Sequence, residues 1–115
     1  MKKFAIMLFT MVALSAFAAD TAVKGYLVDI ACASEEGQRP NFGVKHSKSC
    51  LQMPECAGSG YGVLTDDKKV IHFDKAGNDQ AKKFIDGLTK STDIKVTVTG
   101  SLNGDQITVS KIELQ

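Results

Sequence analysis

The chain has 115 residues, 14 Lys plus Arg against 13 Asp plus Glu, and 43% apolar side chains. That length admits one domain and excludes a multidomain machine. The near-neutral charge balance excludes a general nucleic-acid binder, because no sequence-wide field would gather phosphates or anionic lipid.

Met1-Lys2-Lys3 is a short cationic start, followed by an apolar run from Phe4 to Leu14 and the small-residue segment Ser15-Ala16-Phe17-Ala18. This is the pattern of a secretory signal peptide, and cleavage is expected after Ala18. The run is shorter than the about 20 residues that anchor a chain across a bilayer. No cysteine stands at the cleavage point, which disfavours a lipid-anchored lipoprotein. Residues 1–18 are therefore expected to be an address. Residues 19–115 are expected to form one domain, periplasmic or secreted, with no membrane contact after cleavage.

Thr21 to Ile30 is rich in β-branched and aromatic residues and reads as a first strand, with Gly25 suggesting a bulge or sharp bend. From Ala31 to Gly60 the apolar periodicity collapses, and Gly37, Pro40, Asn41, Gly43 and Pro54 predict a long irregular connection. Within it, Ser47 to Met53 suits one or two helical turns, ended by the restriction that Pro54 imposes on Met53. Tyr61 to Thr65 and Val70 to Phe73 read as a hairpin around the polar turn Asp66 to Lys69. Asn78 or Asp79 is expected to cap a helix running to Lys90. Ala81, Phe84, Ile85 and Leu88 in that segment fall at helical spacing. Ile94, Val96 and Val98 alternate with polar residues, and Gln106 to Leu114 is another β-rich run. Asn103-Gly104 joins the two as a hairpin.

The predicted fold class is thus mainly β with one helix, an α+β domain. A five-stranded OB-like Greek-key barrel fits the order, with a long Cys-rich loop between strands one and two and the helix between strands three and four. An open α+β sheet with its helix on one face has the same order of elements.

The chemistry-bearing residues crowd into that loop. Cys32, His46, Cys50 and Cys56 supply three thiols and an imidazole, the donor set of a Cys3His site for zinc or copper(I). A helix beginning at His46 would set His46 and Cys50 on one face at i and i+4, with Met53 one turn on. Met53 has a thioether suited to copper(I), and as a plain apolar side chain it would plug the base of the loop. The C-x5-C spacing of Cys50 and Cys56 matches no standard finger, so other readings stay open. An exported domain meets an oxidising compartment, where two of the thiols would pair as a disulfide staple and leave one spare. Thiol redox chemistry is the third reading, although no C-x-x-C pair is present to lower a thiol pKa at a helix start. His72 lies between Ile71 and Phe73 and is expected to point outward from its strand. Ser49 and Ser59 lack a nucleophile-elbow context, and Gly58-Ser59-Gly60 lacks the lysine of a phosphate loop. Binding is therefore expected rather than catalysis, with a metal ion as partner and no nucleic acid.

Gly25-x-Leu27-x-Asp29-x-x-Cys32, then His46, Cys50 and Cys56, then Val96-x-Val98-x-Gly100 and Ile107-x-Val109-x-x-Ile112, resemble a group of small exported bacterial OB-like β-barrel domains of unknown function. The resemblance covers nearly all the mature chain and is carried by the Cys, His, Cys, Cys order. It implies that these four positions belong to one site, and it brings no assigned activity. An insertion containing Arg39-Pro40-Asn41 between Cys32 and His46 departs from the group's pattern.

Overall fold

The computed structural model describes residues 20–115. The expected signal peptide, residues 1–18, lies outside the described residues. Among the described residues, five strands and five helices make a mixed α+β domain. The strands are β1 (Thr21–Asp29), β2 (Tyr61–Leu64), β3 (Val70–Phe73), β4 (Lys95–Asn103) and β5 (Gln106–Leu114). Their sheet closes on itself in the order β1-β2-β3-β5-β4. Every neighbouring pair is antiparallel except β3 with β5, which is parallel.

Strand alternation sorts the side chains onto two faces. Leu27, Tyr61, Val63, Ile71, Phe73, Val96, Val98, Ile107 and Val109 form the inner core. Val28 and Leu64 point the other way and pack with Ala33, Tyr26, Phe42 and Val70 in a second, smaller cluster. His72 is exposed on β3, as alternation requires. Gly25 sits where β1 changes partner, pairing with Val96 on one side while the β1–β2 ladder begins at Tyr26. A Cβ there would lie 2.2 Å from the Leu64 carbonyl oxygen, so the glycine serves a close backbone approach. Of the bulge or sharp bend expected at Gly25, the bulge is not found there; a register shift falls between Thr99 and Gly100, on β4. Gly104, at φ +60°, turns the β4–β5 hairpin as the Asn-Gly pair predicts.

The connection between β1 and β2 is not irregular, and the expectation of a single helix does not hold. It carries four short helices: α1 (Ile30–Glu36), α2 (Phe42–Lys45), α3 (Lys48–Gln52) and α4 (Pro54–Gly58). Each is too short for a 3.6-residue period to repeat, and each is held by tertiary contacts rather than by propensity. Ala33 and Phe42, from α1 and α2, cover the outward cluster on β1 and β2, while Leu51 of α3 enters the inner core.

The remaining helix, α5 (Lys75–Asp86), begins earlier and ends earlier than its apolar spacing suggests. Asp74 is the cap. Its Oδ1 accepts from the Gly77 and Val109 backbone N–H groups at 3.1 and 3.0 Å, so one side chain starts the helix and ties it to β5. Ala81 and Ile85 are buried in the core, with Phe84 and Leu88 packed against it. Among the described residues no helix is long and apolar enough to cross a membrane.

Candidate metal centre

The cysteine-bearing segment is assembled by local capping. Asp29 ends β1 and caps α1, its Oδ2 accepting the Cys32 N–H at 3.0 Å. Ser47 caps α3 in the same way, accepting the Cys50 N–H at 3.1 Å. Pro54 opens α4 at a position where its missing N–H costs nothing, and Met53 joins α3 to α4 in extended conformation.

Ser59 then brings the two outer helices together. Its hydroxyl donates to the Cys56 carbonyl at 2.6 Å, at the end of α4, and accepts the Ala31 N–H at 3.1 Å, at the start of α1. The Ile30 N–H donates to the Gly60 carbonyl beside it at 3.0 Å. The result is that Cys32 Sγ and Cys56 Sγ stand 3.9 Å apart, although 24 residues separate them in the chain.

An Asp29 carboxylate oxygen completes a group whose donor atoms all lie within 4.8 Å of one another: Asp29, Cys32 and Cys56. Asp29 is fully buried, and Cys56 is buried as well. His46 and Cys50 lie outside that group. His46 reaches it indirectly, its Nε2 standing 2.6 Å from Asp29 Oδ1 with both side chains almost wholly inaccessible. Because an ionised carboxylate only accepts, Nε2 carries the hydrogen and the ring's orientation is fixed.

His46 is not part of a helix with Cys50. It terminates α2 at φ −64°, ψ 130°, and the extended Ser47 separates it from α3. The i, i+4 relation expected of the pair is therefore absent. Met53 is 47% exposed and plugs nothing. His72, on the outer surface of β3, takes no part.

The charges of the site follow from burial and hydrogen bonding. Burial alone would raise the Asp29 carboxyl, but the bonds from His46 and from the Cys32 backbone and thiol outweigh it and hold the pKa at about 2. Burial, then the hydrogen bond to Asp29 and the charge of its carboxylate, push the Cys32 thiol up to about 12. Burial and the same carboxylate also raise Cys56. Without a cation the centre is thus one anionic carboxylate facing two neutral thiols.

No protein-family model, characterised protein or solved structure matches the chain. Two positions that the sequence reading did not assign to the site are central to it. Asp29 carried a signal as a helix-capping residue type at the end of a strand-like run. Ser59 carried none, since its role is to bridge two backbones that are distant in sequence.

Proposed function

We propose that this chain is an exported small binding domain that holds one zinc ion in the excursion between β1 and β2. One observation carries the reading: two sulfurs 3.9 Å apart with a buried carboxylate in the same cluster. Two thiolates on one tetrahedral zinc, at Zn–S distances of about 2.3 Å, are separated by about 3.8 Å. The donors assigned are Cys32, Cys56 and Asp29, with Cys50 as the fourth. His46 acts from outside the coordination sphere by orienting Asp29, the usual arrangement for partners of metal-bound groups.

A carboxylate beside thiolates favours zinc over copper(I), which prefers an all-soft set. The exposed Met53 supplies no reason to choose copper. Four protein donors leave no open position, so the role is structural or that of a carrier rather than catalytic.

The five strands are read as an OB-type Greek-key barrel. The closed order β1-β2-β3-β5-β4, the parallel β3–β5 pair and the helix between β3 and β4 support that reading. OB barrels take ligands on the face of strands two and three. Here Ala33 and Phe42 pack over the outward residues of β1, β2 and β3. Export to the periplasm or beyond, after loss of residues 1–18, belongs to the same proposal.

The test is zinc titration of reduced protein against a chromophoric chelator, with elemental analysis of the isolated complex. One zinc per chain, lost in Cys32→Ser and Cys56→Ser and weakened in Asp29→Asn, is the expected result. Reduced, folded protein that takes up no zinc would overturn the proposal.

A further inference from the structure

The pair that supplies two zinc donors also has the geometry of a disulfide in waiting. Cys32 and Cys56 belong to separate short helices, α1 and α4, whose backbones are already joined through Ser59 and by the Ile30 to Gly60 hydrogen bond. A disulfide needs sulfurs about 2.05 Å apart, so the 3.9 Å gap closes with a shift of about 1 Å at each sulfur. Because those hydrogen bonds already hold the intervening segment closed, bond formation meets little further cost in chain entropy. Cys50 stands outside the close pair. The two thiols also differ in access: Cys32 is partly exposed, whereas Cys56 is 7% exposed.

We infer that Cys32 and Cys56 form a reversible disulfide that excludes zinc, so that the centre is a redox-gated metal site. This rests on the zinc reading above. The oxidant is a small-molecule disulfide. The Cys32 thiolate attacks one of its sulfurs, forming a mixed disulfide and expelling one small thiolate. The Cys56 thiolate then attacks the Cys32 sulfur, forming the intramolecular bond and expelling the second. The two protons from the cysteines go to the two departing thiolates, so the protein loses two electrons and the small disulfide gains them. The oxidised sulfurs no longer carry the thiolate charge that binds zinc, and zinc-bound thiolates are withheld from exchange.

The experiment exposes reduced protein to 2-hydroxyethyl disulfide, with and without zinc, and then blocks free thiols by alkylation. Digestion after basic residues separates Cys32 from Cys50, and digestion after Glu55 separates Cys50 from Cys56. Mass spectrometry is expected to find the Cys32–Cys56 bond, with Cys50 alkylated, and the Cys50→Ser variant is expected to form the same bond. Zinc at about 100 times its Kd is expected to slow bond formation by about 100-fold. The oxidised protein is expected to bind zinc at least about 100-fold more weakly than the reduced. A bond that involves Cys50 instead, or equal zinc affinity in the two states, overturns the gate and leaves the zinc site standing. No zinc uptake by the reduced protein overturns the zinc site and the gate with it.

Discussion

Replacing Asp29 by Asn tests how the centre is held together in the absence of any cation. The side chain accepts the Cys32 N–H on Oδ2 and the His46 Nε2 hydrogen on Oδ1, so both oxygens of a fully buried carboxylate are committed. An amide offers one acceptor oxygen, and its NH2 must face one of the two donors. The variant therefore either loses the helix cap, about 1 kcal/mol, and strands the Cys32 N–H, or exchanges the charge-assisted bond to His46 for a neutral one accepted by the other imidazole tautomer, at a cost of about 1–2 kcal/mol. A total of about 1–3 kcal/mol is expected, which in a domain of this size lowers Tm by about 5–15 °C. The assay is denaturant unfolding of reduced protein in chelator, repeated from neutral pH downward. In the native protein the Asp29 carboxyl sits at about 2, below its ordinary 3.8. Over that interval the unfolded chain binds the proton and the folded one does not. The contribution, about 2 kcal/mol, is thus fully present above the unfolded value and disappears as pH falls through the folded one. The Asn variant should lack that acid-side loss. A variant within about 0.5 kcal/mol of the parent, with the same acid profile, would refute the assignment of Asp29 as the organising acceptor.

Three further changes separate the parts of the site. His46→Ala removes the donor to a buried carboxylate and is expected to cost about 2–3 kcal/mol and to weaken zinc about 10–100-fold, whereas His46→Gln, which keeps an N–H, should recover part of both in denaturation and chelator competition. Ser59→Ala breaks the bridge from the Cys56 carbonyl to the Ala31 N–H; about 1 kcal/mol of stability and several-fold in zinc affinity should go, and an unchanged affinity would show that α1 and α4 are aligned without it. Gly43→Ala sets a Cβ 2.3 Å from the Tyr26 ring and should cost about 1–3 kcal/mol in the same unfolding assay, because α2 must lift off β1.

Much of the domain is legible in the sequence, and the parts that are not share a cause. The two-residue period of Val70 to Phe73 and of Gln106 to Leu114 marks strands whose observed limits agree with it, because burial on alternate faces repeats within four residues. The same logic fails for α1, α2 and α4, which span at most seven residues and bury one residue each, whereas α3 (Lys48–Gln52) falls within the Ser47 to Met53 segment expected to make helical turns. The start of α1 is written in its cap, Asp29, and a cap is read only once a helix is suspected. α5 begins at Lys75, ahead of Asn78, because Asp74 caps it there, its Oδ1 accepting the Gly77 N–H. In the site, Cys32 and Cys56 were recognisable by residue type, while their meeting depends on Ser59. His46 belongs to the centre through Asp29, a relation between a strand end and a helix end that spacing along the chain does not encode.

Counted over Asp29, Cys32 and Cys56, the metal-free centre already has the charge that zinc binding would leave behind. With Cys32 held up to about 12 and Cys56 raised, the thiols are neutral near pH 7, while Asp29 is ionised and bonded to His46. A buried dithiolate beside that carboxylate would be prohibitive without a cation, since several like charges would share one desolvated pocket. Zinc uptake then exchanges two protons for a doubly charged ion and leaves the net charge from these three groups unaltered. Each thiol proton displaced adds about one log unit of apparent affinity per pH unit, so affinity should rise at least about 100-fold per unit across the neutral range. Chelator competition at several pH values reads this directly, and a slope of one log unit or less would mean that Cys32 and Cys56 do not bind zinc together.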